Sequence, residues 1–143
     1  MGKPELLDPT PDALVDRDEL IRRLLEGLPR HCVLDAREEL KPYECDGLSV
    51  YREVPFAVAL PENEAQVCHV LRTCNAARVP VVARGAGTGL SGGALPHPRG
   101  VTLGLSKMKS ILAIDPAART AIVQPGVRNL AISEAVASLG LYY

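Results

Sequence analysis

Five glycines fall within nine residues of the chain, at positions 85, 87, 89, 92 and 93, directly after an apolar run over residues 79–83. Glycine loses more backbone freedom on folding than any other residue, so a dense glycine cluster is unfavourable unless it serves a structural or functional need. The position beside a buried segment makes such a need more pressing. Backbone without Cβ atoms lets successive N–H groups converge on one anion. Thr88 and Ser91 add hydroxyl donors. The cluster therefore predicts a loop that binds a phosphate or pyrophosphate group, and the alternative is a flexible surface loop.

Two familiar phosphate-binding motifs do not fit this loop. Residues 87–92 match the pattern G-x-G-x-x-G, but that motif requires a helix to begin at its last glycine. Pro96 and Pro98 follow closely and disfavour a helix there. The same residues have the glycine spacing of a Walker A loop, but Gly93 stands where that motif requires lysine. The sequence therefore predicts a third type of phosphate loop.

The segments around the loop predict an α+β fold. A continuous apolar run over 56–60 is typical of a strand buried on both faces. Asn63, with Gln66 three residues later, predicts the start of a helix over about 63–77, and the apolar run over 79–83 predicts a second strand. Strand, helix and strand in this order form a βαβ unit, which makes the two strands parallel. Its helix carries an apolar stripe of Val67, Val70, Leu71 and Cys74, so Cys74 is expected in the core.

Later residues predict further strands and a last helix. A strand is expected over 101–105, and a hairpin over 111–114 and 120–123 around a turn at 115–118. Asn129 is expected to cap a helix that Gly140 ends. The apolar residues 141–143 are expected to begin another strand.

The sequence of the N-terminal part predicts a helix and a loop rather than further strands. Thr10 followed by Pro11 predicts a helix start, and the helix should run to about Gly27. Residues 35–47 are interpreted as an ordered loop. We therefore divide the chain into an N-terminal helical segment, residues 1–40, and the first part of a larger domain, residues 41–143.

Composition and charge exclude several classes of function. No run of 18 apolar residues and no signal peptide is present, so we expect no transmembrane segment and a cytoplasmic location. Four cysteines without a Cys-x-x-Cys pair indicate free thiols and no metal site. The net charge is −1, with 8 basic and 15 acidic residues up to Glu64 and 8 basic and 2 acidic residues after it. The positive second part suits a phosphate-bearing ligand, and its charge is too small to indicate a nucleic-acid partner.

Three longer strings carry a resemblance to a known family. They are residues 42–49, residues 81–95 and residues 123–133. These strings resemble the vanillyl-alcohol-oxidase superfamily, which has the PCMH-type FAD-binding fold, and within it the family of FAD-linked subunits of bacterial glycolate oxidases (glycolate dehydrogenases). The resemblance extends from about Val33 to Tyr143 and implies the first subdomain of that fold, truncated before the second.

The resemblance implies FAD as the cofactor and assigns residues to it. The loop would wrap the FAD pyrophosphate, and a second segment would lie near the adenosine end; together the implied cofactor-binding residues are Arg84, Gly85, Ala86, Gly87, Thr88, Gly89, Leu90, Ser91, Gly92, Pro125, Gly126 and Val127. Relatives that attach FAD covalently through this loop carry histidine where Gly87 stands, which implies non-covalent binding here. The Arg84 side chain either offers charge to the cofactor or points to solvent. Cys45 is interpreted as a structural residue rather than a redox thiol.

The resemblance also implies an activity for the complete enzyme. There, C2 of a 2-hydroxy acid such as glycolate gives a hydride to flavin N5, and electrons pass to other glycolate oxidase subunits, including an iron–sulfur subunit. Association with a membrane would then come through those partner subunits. The groups that act on the hydroxy acid lie in later parts of the family's chains, so we assign no catalytic residue and expect no turnover by this chain alone. Two alternatives remain. Either the complete enzyme acts on D-lactate or another 2-hydroxy acid as its substrate in place of glycolate, or the chain is a non-catalytic nucleotide-binding or decayed module.

Overall fold

A computed structural model describes residues 15–143. Its helices are α1 Arg17–Leu25, α2 Arg37–Leu40, α3 Glu64–Ala76 and α4 Asn129–Val136. Its strands are β1 Val33–Leu34, β2 Ala57–Ala59, β3 Val81–Arg84, β4 Val101–Gly104, β5 Ile111–Asp115 and β6 Thr120–Val123. Single 3₁₀ turns cover Arg30–Cys32, Lys41–Tyr43 and Ala137–Leu139.

Strands β1 to β4 form one mixed sheet in the order β1-β2-β4-β3. Strands β2 and β3 are both parallel to β4, which confirms that the two predicted strands of the βαβ unit are parallel to each other. They are not neighbours, because β4 lies between them; Val101 pairs with Ala57 on one side and with Val81 on the other. Strand β1 adds an antiparallel edge beside β2. The carboxyl ends of β2, β3 and β4 therefore share one edge of the sheet.

The core lies on both faces of this sheet. On one face, Ala57 and Ala59 of β2 belong to a cluster with buried residues of α1 and α3, among them Leu24 and Val70. The other face carries a smaller cluster in which Val58 packs with residues that include Leu40 and Tyr43. All three residues of β2 are fully buried, as the continuous apolar run predicted.

Thr102, in the middle of β4, is fully buried, and its hydroxyl has no hydrogen-bond partner within residues 15–143. A buried polar group without a partner costs about 1–3 kcal/mol in lost hydration. We therefore expect Thr102→Val, which keeps the shape and removes the hydroxyl, to raise the free energy of unfolding by about 1–2 kcal/mol. Urea unfolding measures this. Thr120→Val on the exposed strand β6 is the matched control and should have little effect, and an equal gain in both variants would contradict the explanation.

Helix α3 begins as its sequence predicts. Asn63 is the N-cap, and its Oδ1 accepts a hydrogen bond from the Gln66 N–H at 3.0 Å. Cys74 is fully buried, which confirms its predicted core position, and burial raises the pKa of its thiol to about 11. The prediction for Leu71 was wrong, because its side chain is 44% exposed. Val70 and Cys74 are buried and Val67 packs, partly buried, against the same core, so only Leu71 of the predicted stripe lies largely outside it.

The predicted hairpin is present as β5 and β6, which pair antiparallel with a bulge between Ile111 and Ala113. Gly140 ends the last helical segment with a left-handed φ of 69°, as predicted. Asn129 is not the cap of α4, because it is the first helical residue and the backbone of Arg128 takes the cap position. The final residues form no strand. Instead, the Tyr143 N–H donates to the Ser133 hydroxyl on α4 at 3.2 Å.

Two predictions for the N-terminal part need correction. Helix α1 begins at Arg17, where the Asp16 carboxylate accepts a hydrogen bond from the Asp18 N–H, and the predicted cap Thr10 lies outside the described residues. The interpretation of residues 35–47 as a loop was wrong for its middle part, which contains α2 and the 3₁₀ turn Lys41–Tyr43. Pro42 fits there because the first turn of a helix leaves its backbone N–H groups unpaired anyway. None of the helices within residues 15–143 is long and apolar enough to cross a membrane.

Candidate functional site

The glycine loop begins where β3 ends, at the carboxyl edge of the sheet. Residues 85–94 run through bends and turns, and no helix begins among them, which confirms the exclusion of the dinucleotide motif. Gly87 and Gly92 have φ values of 73° and 72°. These left-handed angles are the reason for glycine at those two positions, because a side chain with Cβ rarely adopts them.

The backbone N–H groups of the loop are free. In the described part of the chain, those of residues 85–93 donate to no protein acceptor, and the first paired amide is that of Ala94. Folded proteins usually pair their backbone donors with protein groups or with water. Thr88 and Ser91 are also exposed. The loop therefore presents a row of unused donors, which is the arrangement an anion requires.

One side of the loop is open. An added Cβ atom at Gly85, Gly89, Gly92 or Gly93 would meet no atom within 4 Å. A ligand can therefore approach the backbone closely at these positions, and side chains there would lie in its way. The free donors and the open side together fit a phosphate or pyrophosphate group.

The other side of the loop is closed by Arg84. Its guanidinium donates to the Cys45 carbonyl at 2.7 Å and lies 5.5 Å from the centre of the Tyr43 ring. An added Cβ at Gly87 would lie 2.2 Å from the Arg84 Nη2 atom. The half-buried side chain therefore points back toward residues 43–45 beneath Gly87. The sequence had suggested that it points either to the cofactor or to solvent, and it does neither.

The second predicted segment reaches the same edge of the sheet. The Gly126 N–H donates to the Met108 carbonyl at 2.8 Å, and an added Cβ there would lie 2.5 Å from the Leu105 carbonyl oxygen. The Leu105 N–H in turn donates to the Arg84 carbonyl at 3.0 Å. Leu105 thus links Pro125–Val127 with the start of the glycine loop, and the structure brings both predicted groups of residues to one region.

Two residues of this region, Asp46 and Gly47, were not assigned to the cofactor site from the sequence. The carboxylate of Asp46, 5% exposed, accepts from the Leu48 N–H at 2.9 Å and from the Ala94 N–H at 3.4 Å. An added Cβ at Gly47 would lie 2.8 Å from the carbonyl oxygens of both Thr88 and Gly89. Both residues belong to the resembling string 42–49, but a contact across more than 40 positions leaves no local signal in a sequence.

A cluster elsewhere has the residue types of a metal site. Ligand atoms of His31, Cys32 and Glu62 lie within 4.8 Å of one another. The Lys107 ammonium lies among them, 3.5 Å from the Cys32 Sγ and 3.6 Å from a Glu62 carboxylate oxygen. Its positive charge lies beside these ligand atoms and disfavours a second cation there. The neighbouring His31 ring and Lys107 lower the pKa of the Glu62 carboxyl.

One groove of the described residues lies away from the loop. It has a volume of about 480 Å³ and lies between the hairpin and α4, with Asp115, Ile132 and Tyr142 among its lining residues. None of the predicted cofactor-binding residues lines it. His97 is also outside the loop geometry, since its Nδ1 accepts from the Arg99 N–H within a turn.

Known proteins share both the sequence and the shape of this region. Residues 55–143 match the family described as FAD binding domain. The glycolate oxidase subunit GlcD of Escherichia coli K12 is 56% identical over 129 residues, which are 90% of this chain and 26% of that protein. A D-lactate dehydrogenase of Archaeoglobus fulgidus is 39% identical over 88 residues, 62% of this chain and 20% of that protein.

Among solved structures, p-cresol methylhydroxylase with substrate bound superposes with a TM-score of 0.75 at 28% identity, over 87% of this chain and 25% of that one. The chain thus spans about a quarter of the length of the proteins it matches. The parallel strands β2, β3 and β4 and the glycine loop that follows β3 lie within residues 55–143. The chain therefore belongs to the FAD binding domain family, with the PCMH-type fold and FAD as its cofactor.

Proposed function

We propose that this chain supplies the pyrophosphate-binding part of a flavin-dependent 2-hydroxy-acid oxidase or dehydrogenase. The observation that carries the proposal is the row of free N–H donors over residues 85–93, on the open side of a loop that follows β3. Residues from Arg84 to Gly92 would hold the pyrophosphate, and Pro125, Gly126 and Val127 would lie toward the adenosine end. Binding is non-covalent in this proposal, because Gly87 offers no side-chain nucleophile.

Each part of the loop has a separate task in the proposed site. Backbone N–H groups donate to the charged phosphate oxygens, and such charge-assisted hydrogen bonds are about twice as strong as neutral ones. The hydroxyls of Thr88 and Ser91 add donors from exposed positions. Arg84 acts from beneath the loop, where its contacts with Cys45 and Tyr43 hold Gly87 in place. FAD, when bound, supplies the hydride acceptor, so this chain contributes placement of the cofactor.

A chimeric protein tests the proposed site. The matched segment of the Escherichia coli subunit is replaced by this chain, and bound flavin is measured by absorbance after purification. We expect stoichiometric FAD. The variant Gly89→Val should lose it, because the branched side chain would enter the open space assigned to the pyrophosphate. Ala117→Val, which adds the same branched side chain at an exposed position of the hairpin turn away from the loop, is the matched control. A Gly89→Val chimera that remains fully loaded would refute the assignment.

We further propose that the substrate of the complete enzyme is glycolate and that other subunits, including an iron–sulfur subunit, accept its electrons. The support is the higher identity to a glycolate oxidase subunit, 56% against 39% for the D-lactate dehydrogenase. Disrupting the coding segment in the source organism tests this. We expect loss of growth on glycolate as sole carbon source and normal growth on D-lactate. The opposite pattern would favour the D-lactate alternative.

A further inference from the structure

We propose that residues Tyr43–Gly47 form a positioning segment that holds the glycine loop in its binding conformation before FAD arrives, with Asp46 as the central residue. The inference rests on the proposed function of the loop. Three independent contacts from this segment reach the loop, at its beginning, its middle and its end. The free donors are therefore arranged in advance, and less conformational entropy is lost when the cofactor binds.

Asp46 controls the end of the loop. Its carboxylate is buried, and its two oxygens serve different segments: Oδ1 accepts from the Leu48 N–H at 2.9 Å, and Oδ2 faces the Ala94 N–H at 3.4 Å. The first bond closes a turn with the residue two positions further along the chain, as aspartate commonly does. The second ties that turn to the residue where the free donors of the loop stop. A short side chain thus joins positions 48 residues apart.

Gly47 controls the direction of the donors in the middle of the loop. The carbonyl oxygens of Thr88 and Gly89 both lie 2.8 Å from the position of a Cβ atom at Gly47, closer than any side chain would allow. In a planar trans peptide, a carbonyl and the N–H of the next residue point in opposite directions. With these two carbonyls against Gly47, the N–H groups of Gly89 and Leu90 face the open side, where a pyrophosphate would bind.

Arg84 controls the beginning of the loop. Its guanidinium donates to the Cys45 carbonyl, lies near the Tyr43 ring and fills the space under Gly87. Near an aromatic ring, a guanidinium gains from cation–π attraction as well as from its hydrogen bond. Residues 43–45 therefore fix the point at which the loop leaves β3, while Asp46 fixes the point at which it ends.

Removing the charge of Asp46 distinguishes positioning of the loop from a direct electrostatic effect on FAD. A carboxylate behind an anion-binding loop repels the anion, so electrostatics alone predicts that Asp46→Asn strengthens FAD binding. Positioning predicts the opposite, because an amide group can accept only through its one oxygen and must release either Leu48 or Ala94. The sign of the change in affinity therefore distinguishes the two effects.

The first test uses the 143-residue chain without FAD. Backbone order parameters from ¹⁵N relaxation report whether the loop is held, with about 0.85 typical of rigid backbone and values below about 0.6 typical of flexible backbone. We expect residues 85–93 to be rigid in the unaltered chain and flexible in Asp46→Asn. Asp115→Asn is the matched control, since it makes the same carboxylate-to-amide change at the hairpin turn, where the one remaining oxygen can still accept the Ala118 N–H. Equal loop order in all three proteins would overturn the proposal.

The second test measures FAD dissociation from the chimera. Asp46→Asn should weaken binding by about fivefold to tenfold, as expected for one lost hydrogen bond, and Asp115→Asn should leave it unchanged. Tighter binding by Asp46→Asn would overturn the proposal. Should Asp46→Asn fail to fold, Gly47→Ala replaces it, because the added methyl displaces the Thr88 and Gly89 carbonyls and spares the carboxylate. A chimera that never binds FAD refutes the proposed function, whereas the relaxation measurement still tests the positioning segment.

Discussion

Gly87→Val is expected to abolish FAD retention by the chimera, with affinity reduced by at least about 100-fold. Two effects of the substitution combine. A β-branched side chain is strained at a φ of 73°, which costs on the order of 1–3 kcal/mol. Its Cβ would also lie 2.2 Å from the Arg84 Nη2 atom and 2.3 Å from its Cζ atom, so the guanidinium must leave its place under the loop. Absorbance of bound flavin after purification measures the result.

A substitution at a second glycine, Gly140, distinguishes the effect of backbone strain from the effect of displacing Arg84 beneath the loop. Gly140 also has a left-handed φ, 69°, but it follows α4, and an added Cβ there meets nothing within 4 Å. Gly140→Val should therefore lower stability and leave FAD bound. If both variants lose FAD equally, backbone strain alone explains the loss, and the role given to Arg84 beneath Gly87 is wrong.

Gly126→Val is expected to lower the free energy of unfolding by about 2–4 kcal/mol, the largest effect on stability that we predict. The added Cβ would lie 2.5 Å from the Leu105 carbonyl oxygen and 2.7 Å from that of Met108. Backbone atoms cannot swing aside as a flexible side chain can, so the turn must open. The hydrogen bond from the Gly126 N–H to Met108 would then be lost as well.

Urea unfolding of the 143-residue chain measures this effect. Gly93→Val is the control, because its Cβ meets no neighbour and its φ is not left-handed, so a change of about 0.5 kcal/mol or less is expected. A Gly126→Val chain as stable as its parent would show that the contact between Pro125–Val127 and residues 105–108 is loose. The link from that segment through Leu105 to the glycine loop would then fail too.

The sequence by itself determined the elements and the kind of loop between them. Apolar runs marked the strands near residues 58 and 82. Strand β2 is buried on both faces, which requires apolar residues throughout. Strand β3, expected to be buried as well, is instead a half-buried edge strand, because no strand within residues 15–143 pairs with its outer side. Asn63 marked the start of α3, because its short side chain accepts the free N–H of Gln66. The prolines after Gly93 excluded a helix. Each of these rules acts over a few residues, and the loop was identified correctly as neither a dinucleotide motif nor a Walker A motif.

Only the tertiary structure decided how distant segments meet. The insertion of β4 between β2 and β3 has no local signature, because it depends on which strands pair. The direction of the Arg84 side chain was set by Tyr43 and Cys45, 39 and more positions away. Asp46 and Gly47 meet the glycine loop only because the sheet brings residues 43–48 beneath it. Such contacts arise from the packed fold as a whole, since many chain paths are compatible with the same local preferences.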